Sequence, residues 1–320
     1  MDEIALQDWM IVPAVLLAMA ALVLAVALVC FLKVFYSPRR KPLRADEYPT
    51  PQGAIYDPHR EQMVEWIKQI RAMPHTEYTV TSYDGLQLHA TYYEQTKGAP
   101  IEILFHGYRG TGERDLNGGV FRCFDLGRNA LIVDHRAAAK SEGHVITFGV
   151  RESCDVRQWV NFVLQNINPN AKIILTGISM GASTVMLAAS KGLPPNVVGI
   201  LADCGYSSAR AIIGKVAAQM RLPAKLLYPF VRLGARLFGG FDPDEADCVE
   251  SMKHCRLPVI FYHGDRDDFV PCAMSEELYA ACTSAHKQLV ITPGAGHGLC
   301  FSTDPDGYKK ELKAFFDPYL

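Results

Sequence analysis

A serine, a histidine and a carboxylate can together cut an acyl bond, and this chain offers each in a setting that suits the task. The serine is Ser179, in Gly177-Ile178-Ser179-Met180-Gly181, a G-x-S-x-G pattern. Alone a serine hydroxyl is a poor nucleophile. It needs a base to take its proton and a group to orient that base. Downstream, three carboxylates crowd one short stretch, His263-Gly264-Asp265-Arg266-Asp267-Asp268-Phe269-Val270-Pro271. A glycine-flanked histidine follows in Gly294-Ala295-Gly296-His297-Gly298. Serine, then acid, then histidine is the chain order in which a strand–turn–helix nucleophile finds its partners. Spacing alone leaves Asp265, Asp267 and Asp268 equal candidates for the acid.

The elements that must position these groups can be read around them. Ile173 to Ile178 is an apolar, branched run that predicts a buried strand. The Ala/Met/Leu-rich run from Met180 to Ala189 predicts a helix. A strand that turns at once into a helix strains the residue at the apex, and side chains two positions away would collide there. Gly177 and Gly181 have none. The turn lifts Ser179 above the sheet edge, and the Met180 N–H, at a helix N-terminus, points where an oxyanion would form. Leu257 to Tyr262 and Gln288 to Thr292 predict the strands that deliver the acidic loop and His297. Tyr78 to Tyr93 alternates around Asp84-Gly85, a hairpin signature. Ile101 to Phe105, Ala130 to Asp134 and Val197 to Asp203 predict further strands. Val150 to Ile167, Ala273 to Thr283 and Pro305 to Phe316 predict covering helices.

These motifs resemble those of the α/β-hydrolases of the serine-hydrolase type, close to the bacterial serine aminopeptidase-like or Bem46-like group. The matching residues are His106-Gly107-Tyr108-Arg109-Gly110, Asp134-His135-Arg136 with Lys140-Ser141-Glu142-Gly143, the Ser179 turn, His263-Gly264-x-x-Asp267-x-x-Val270-Pro271 and Gly296-His297. They span roughly Glu77 to the C-terminus. The resemblance implies a mainly parallel sheet of about eight strands covered by helices, chooses Asp267 as the acid, and makes the Tyr108 N–H the second oxyanion donor beside that of Met180. His106 would shape its turn rather than carry a proton. The loop Arg136-Ala137-Ala138-Ala139 departs from the group, which has glycine there; the departure concerns local turn geometry.

With 320 residues, 49% of them hydrophobic, the chain can bury one large α/β core. A formal charge of −2 argues against a general nucleic-acid binder. Nine cysteines lack CxxC or zinc-like spacing, so they read as reduced thiols, and neither a metal nor an organic cofactor is implied.

Met10 to Leu32 carries no charge. At about 1.5 Å per residue the run can cross a bilayer core of roughly 30 Å. A cleaved signal peptide would start basic, whereas Asp2, Glu3 and Asp8 open this chain, so an uncleaved anchor over residues 1–35 is expected. Lys33, Arg39, Arg40, Lys41 and Arg44 crowd the far side, which puts the N-terminus outside and the hydrolase in the cytoplasm, at the cell membrane. Residues 36–75 read as a Pro-rich linker and a short amphipathic helix (Met63, Trp66, Ile67, Ile70, Met73) that packs on the domain. Residues 76–320 form the hydrolase domain.

From about residue 208 to 254 the strand–helix alternation stops, and a helical cap is expected. Between Cys204 and Phe241 it holds Arg210, Lys215, Arg221, Lys225, Arg232 and Arg236 and no acid. A solvated basic face is the ordinary reading. The sharper one is a cap that rests on anionic lipid and admits an acyl chain. The chain is thus expected to be a membrane-anchored serine hydrolase of a lipophilic carboxylic ester, with Ser179 as nucleophile, His297 as base and Asp267 as orienting acid. An aminopeptidase or amidase on the same residues, and a catalytically silent binding protein of this fold, are the alternatives.

Overall fold

A computed structural model describes the backbone of residues 2–39 and 44–320 and the side chains of residues 11–39 and 44–320. The expected charges at Asp2, Glu3, Asp8, Arg40 and Lys41 lie outside the described side chains. The strands are β1 (Thr76–Thr81), β2 (Gln87–Tyr93), β3 (Ile101–Phe105), β4 (Asn129–Val133), β5 (Ile173–Ile178), β6 (Val197–Asp203), β7 (Val259–Gly264) and β8 (Lys287–Thr292). They form one sheet in the order β1-β2-β4-β3-β5-β6-β7-β8. β1 and β2 make the hairpin, β2 meets β4 antiparallel, and the remaining pairings are parallel. The central strands β3 and β4 are buried at every position, as runs covered on both faces must be.

The helices are α1 (Asp2–Val34), α2 (Arg60–Ala72), α3 (Gly112–Asp125), α4 (Glu152–Phe162), α5 (Met180–Ala189), α6 (Ala209–Gln219), α7 (Ala224–Gly234), α8 (Cys248–Lys253), α9 (Cys272–Ala281), α10 (Cys300–Thr303) and α11 (Pro305–Phe316). On one face, α3 packs on Leu104 and Ile132 through Leu116 and Val120, and α11 packs on Ile174 and Leu201 through Leu312 and Phe316. On the other, α4 and α5 cover Ile103 and Leu175 with Trp159, Val160, Val185 and Met186. Between β3 and α3 the sheet hides a charged knot. Glu102, with no exposed surface, binds Arg122 and Arg128 and accepts from Thr176 Oγ1 at 3.0 Å. Burial alone would raise its carboxyl; the two guanidiniums outweigh burial and hold it at about 2.

The α1 helix is continuous but has two environments. Leu17 is 73% exposed, and Ile11 to Val34 is long and apolar enough to cross a membrane. Ala27 is instead buried, and Phe31 and, just past the helix, Phe35 join the main core. A Cβ on Gly234 would sit 2.3 Å from the Ala27 carbonyl oxygen, so α7 lies directly against α1. Phe31 meets Phe238 at 5.8 Å between centroids, and Phe35 meets Phe241 edge-on at 5.2 Å.

The expected linker is laid along the domain rather than hanging free. Tyr36 bridges to Val145, and Ser37 N–H donates to His144 O at 2.8 Å. Arg71 on α2 donates to the carbonyls of Ala45 and Glu47 at 2.8 Å each. The basic stretch, acid-free in sequence, is partly neutralised in space. Chain reversal brings in acids that follow it in sequence: Arg232 and Arg236 pair with Asp242, and Arg210 reaches Asp244. The cap nevertheless exposes Met220, Leu222, Leu226, Leu237 and Phe238.

Candidate active site

The loops after β3, β5, β7 and β8 all open at the carboxyl end of the parallel strands, where open α/β sheets bind their ligands. Ser179 sits between β5 and α5 with φ 55 and ψ −117, a conformation that non-glycine residues rarely hold. The surroundings enforce it. A Cβ at Gly177 would lie 2.2 Å from the Gly181 carbonyl, and one at Gly181 would lie 2.0 Å from Phe105 O. Sheet, turn and helix can approach this closely only with glycine at both positions.

The structure brings Ser179, His297 and Asp267 together. His297 Nε2 lies 2.9 Å from Ser179 Oγ, and His297 Nδ1 lies 2.7 Å from Asp267 Oδ2. Asp267 Oδ1 accepts from the N–H groups of Phe269 at 2.9 Å and Val270 at 2.8 Å. Its neighbours on the loop are occupied elsewhere: Asp265 Oδ1 accepts from Gly294 N–H at 2.6 Å, and the Asp268 carbonyl accepts from Lys215 and Gln219 on α6.

A second histidine also serves the acid. His263 Nε2 lies 3.2 Å from Asp267 Oδ2 and 2.8 Å from Val270 O, while its Nδ1 lies 2.6 Å from Ser275 Oγ. Burial would lower the His263 pKa, but the Asp267 and Val270 contacts raise it. Burial would likewise raise the Asp267 carboxyl; His263, His297 and the Val270 N–H outweigh it and hold it well below the usual range. The carboxylate therefore stays charged and its acceptor sites face donors.

The oxyanion side is built from β3 onward. Gly107 N–H donates to Asp115 Oδ2 at 3.0 Å, and Thr111 caps α3. Gly107 lies against the nucleophile, since a Cβ there would be 3.5 Å from Ser179 Cβ. Among the described residues, neither the Tyr108 N–H nor the Met180 N–H, the first of α5, has an acceptor. His106 is fully enclosed, its Nδ1 2.8 Å from Gly107 O and its Nε2 accepting from His135 N–H at 3.0 Å. Burial lowers its pKa, so it is a neutral brace for the turn. In the loop after β4, Ala137 and Ala139 adopt φ 61 and 43, left-handed values that glycine would hold without strain.

A cavity of about 320 Å³ runs from Ser179 and His297 past Tyr56, Met63, Trp66 and Phe301. Among the described residues, α6 and α7 contribute nothing to its lining, so the expected acyl-admitting cap is not its wall. Part of the wall comes from residues 51–66, which the sequence places outside the hydrolase domain. Tyr56 Oη donates to His297 O at 2.9 Å, and a Cβ on Gly296 would lie 2.2 Å from Ile55. Trp66 stacks on Phe301 at 5.7 Å. The helical spacing of Met63 and Trp66 was the available signal; Tyr56 had none. Gly118 and Gly119 on α3 make the room, because a Cβ on either would come within 2.8 Å of Trp66 or Leu104.

Cys204, Asp267 and His297 hold potential metal-ligand atoms within 4.8 Å of one another. Burial and the charges of Asp203 and Asp267 push the Cys204 thiol well above its ordinary value, and the other two groups already partner each other. What the arrangement can do is pass a proton from Ser179 Oγ to His297 beside two free N–H donors.

The family described as Serine aminopeptidase, S33 (Hydrolase_4) matches residues 231–304, which include Asp267 and His297. The uncharacterized protein YqkD of Bacillus subtilis is 29% identical over 194 residues, covering 60% of this chain and 63% of its own length. The chain thus spans less than two thirds of that relative. Protein bem46 of Schizosaccharomyces pombe is 24% identical over 277 residues, 84% of this chain and 83% of its own. The lysophosphatidylserine lipase ABHD12 of Danio rerio is 26% identical over 204 residues, 59% of this chain and 50% of its own. Among solved structures, the Pyrococcus furiosus esterase Pf2001 superposes with a TM-score of 0.64 at 19% identity, covering 89% of this chain and 98% of that one. By its fold the chain is an α/β-hydrolase-fold protein, and in sequence it resembles Bem46.

Proposed function

We propose that the protein is a membrane-anchored serine hydrolase that cleaves a lipophilic carboxylic ester through an acyl-enzyme on Ser179. The observation that carries this reading is the unbroken hydrogen-bonded line from Ser179 Oγ through His297 to Asp267 at a strained turn. Ser179 Oγ attacks the ester carbonyl as His297 Nε2 takes its proton. The N–H groups of Tyr108 and Met180 receive the oxyanion. His297 returns the proton to the departing alcohol, and water repeats the sequence to free the acid. Asp267, kept ionised, orients His297 and stabilises its charged form.

A lipophilic substrate is supported by the aromatic and aliphatic wall of the cavity, by α1, and by the lipid named for the ABHD12 relative. The exposed apolar side chains of the cap adjoin the buried end of α1 through the Phe31–Phe238 contact, a placement suited to resting on the same bilayer. Lys215, Arg221 and Lys225, which pair with no carboxylate among the described residues, then supply most of the attraction the cap has for anionic lipid. In this reading the N-terminus faces out and the hydrolase lies in the cytoplasm. A cysteine placed near Asp2 reacts with an impermeant thiol reagent in intact cells, and one near Gln52 does not.

One observation favours a second reading. An aminopeptidase needs a carboxylate for the free α-amino group. Asp203, buried at the cavity wall, accepts from Tyr308 Oη through Oδ2 at 2.9 Å, and its Oδ1 has no partner among the described residues. Fluorophosphonate labelling of Ser179, with p-nitrophenyl esters of graded length run beside aminoacyl amides, tests both readings. Ester turnover is expected to exceed amide turnover. Ser179→Ala is expected to lose labelling and about a million-fold in turnover. No labelling of the wild type would leave a silent fold, and retained turnover in Ser179→Ala would end the mechanism.

A further inference from the structure

The last carbonyls of a helix have no partner within it. At the end of α1 they are taken by the turn that follows β3. Tyr108 Oη donates to Val34 O at 2.6 Å. Arg109 Nη2 donates to Lys33 O and Tyr36 O, each at 3.0 Å. Arg109 also lies over the Tyr108 ring, 5.2 Å from its centroid.

Two residues in this contact are strained. Arg109 has φ 51 and Phe148 has φ 56, left-handed values that non-glycine residues keep only where their surroundings hold them. The Arg109 side chain is held by those two carbonyls, while its backbone is closed by Gly110 N–H on Gly107 O at 3.1 Å and met by Arg114 Nη1 at 3.4 Å. Phe148 lies 5.1 Å from the Tyr108 ring and 5.7 Å, edge-on, from Phe35. The end of α1, the strained turn and the Phe148 ring therefore form one packed unit, and the Tyr108 N–H is carried on it.

We infer that the last turns of the membrane helix, from Phe31 to Tyr36, are a positioning element of the active site. Tyr108 and Arg109, through their side-chain contacts with α1, fix where the Tyr108 N–H points. This rests on the proposed reading that the Tyr108 N–H receives the oxyanion. It goes beyond that reading by making the seated helix part of the catalytic geometry rather than a tether. The energetic reason is that an oxyanion donor contributes only if it is already aimed before charge develops. A turn free to relax its strain would swing that N–H away.

The test uses the full chain in detergent micelles, with Tyr108→Phe, which removes a single oxygen, and Arg109→Gln. Each is assayed for kcat and KM on one p-nitrophenyl ester and for inhibition by a trifluoromethyl ketone, whose adduct on the serine places an oxyanion in the hole. Removing an oxyanion donor outright costs about a hundred- to a thousand-fold, so misaiming one is expected to lower kcat on the order of tenfold. KM should stay within about twofold, and ketone affinity should fall in step with kcat. Unchanged kcat and ketone affinity in Tyr108→Phe would overturn the inference. So would a drop in thermal midpoint and kcat with ketone affinity unchanged, because that is what a merely structural bond would give. Should Arg109→Gln fail to fold, Tyr108→Phe decides alone. Failure of the serine mechanism on which that reading depends shows separately, as turnover retained by Ser179→Ala, and it would remove this inference too.

Discussion

The two sides of Ser179 are held in different ways. On the acid–base side, Asp267 is ringed by the N–H groups of Phe269 and Val270, by His263 and by His297, all from the loops and strands β7 and β8. Each support is local to the acid, and the loss of one outlying support leaves the others in place. On the oxyanion side, the turn after β3 is tied through Tyr108 and Arg109 to the end of a helix more than seventy positions earlier. Local bonds there brace Gly107, but the side-chain supports of Tyr108 and Arg109 are few, distant in sequence and set against backbone strain. Redundant local bonding tolerates loss at its periphery; sparse long-range bonding does not.

The largest effect should come from the centre of the acid–base side, where redundancy ends. Asp267→Asn keeps the shape but replaces an acceptor with a donor, leaving His297 in the wrong tautomer. Turnover is expected to fall about ten-thousand-fold. Asp265→Asn and Asp268→Asn should lose far less, because Asp265 serves the Gly294 N–H and Asp268 meets α6 through its main chain. Steady-state kinetics on the three variants checks this. If Asp265→Asn proved the worst, the acid would have been assigned wrongly.

Next in size is the charged knot below the oxyanion side. Glu102→Gln leaves Arg122 and Arg128 buried without their anion, which typically costs about 3–5 kcal/mol. Its pH dependence has a definite sign. The folded carboxyl, at about 2, is lower than the unfolded value of roughly 4.3. Its stabilisation is thus present above the unfolded value and lost as pH falls from about 4.3 towards 2. Denaturation midpoints of wild type and Glu102→Gln should therefore differ strongly at pH 7 and converge towards pH 2. A gap unchanged across that range would mean that another group titrates.

The same contrast explains what the sequence made legible. The parallel sheet and the Ser179 turn have local signatures, because glycine is required two residues on either side and branched apolar runs must be buried. The acid was narrowed to three residues by spacing and to Asp267 by resemblance. Helix α3 escaped notice, since Gly118-Gly119 in its middle argues against a helix; their smallness opens the cavity against Trp66 and Leu104. The docking of residues 27–37 and 51–59 left no local trace either, whereas Met63 and Trp66, at helical spacing, do mark a helix that packs on the domain. Hydropathy reads Ala27 and Phe31 as it reads Leu16 and Leu17, and only the fold decides which of them stay exposed and which meet α7. The cap's charge pairing is hidden for a related reason: Asp242 and Asp244 follow the basic stretch in sequence but return to it in space.

The smallest effect should come from the periphery of the acid–base side. Tyr56→Phe deletes the 2.9 Å bond from its hydroxyl to His297 O, the same chemical change as Tyr108→Phe on the other side. One neutral hydrogen bond contributes about 0.5–1.5 kcal/mol net. The His297 loop keeps its other supports: Ile55 packs against Gly296, Phe269 meets the His297 ring edge-on at 5.0 Å, and Asp267 holds Nδ1. The expected loss in kcat is therefore about threefold or less, since only part of that energy reaches the transition state. Measured on the same ester, Tyr56→Phe and Tyr108→Phe form a matched pair. A clearly larger loss for Tyr108→Phe sharpens the contrast between redundant and sparse support. Equal losses would mean that the His297 loop is no better braced than the oxyanion turn, and the contrast between the two sides would fall.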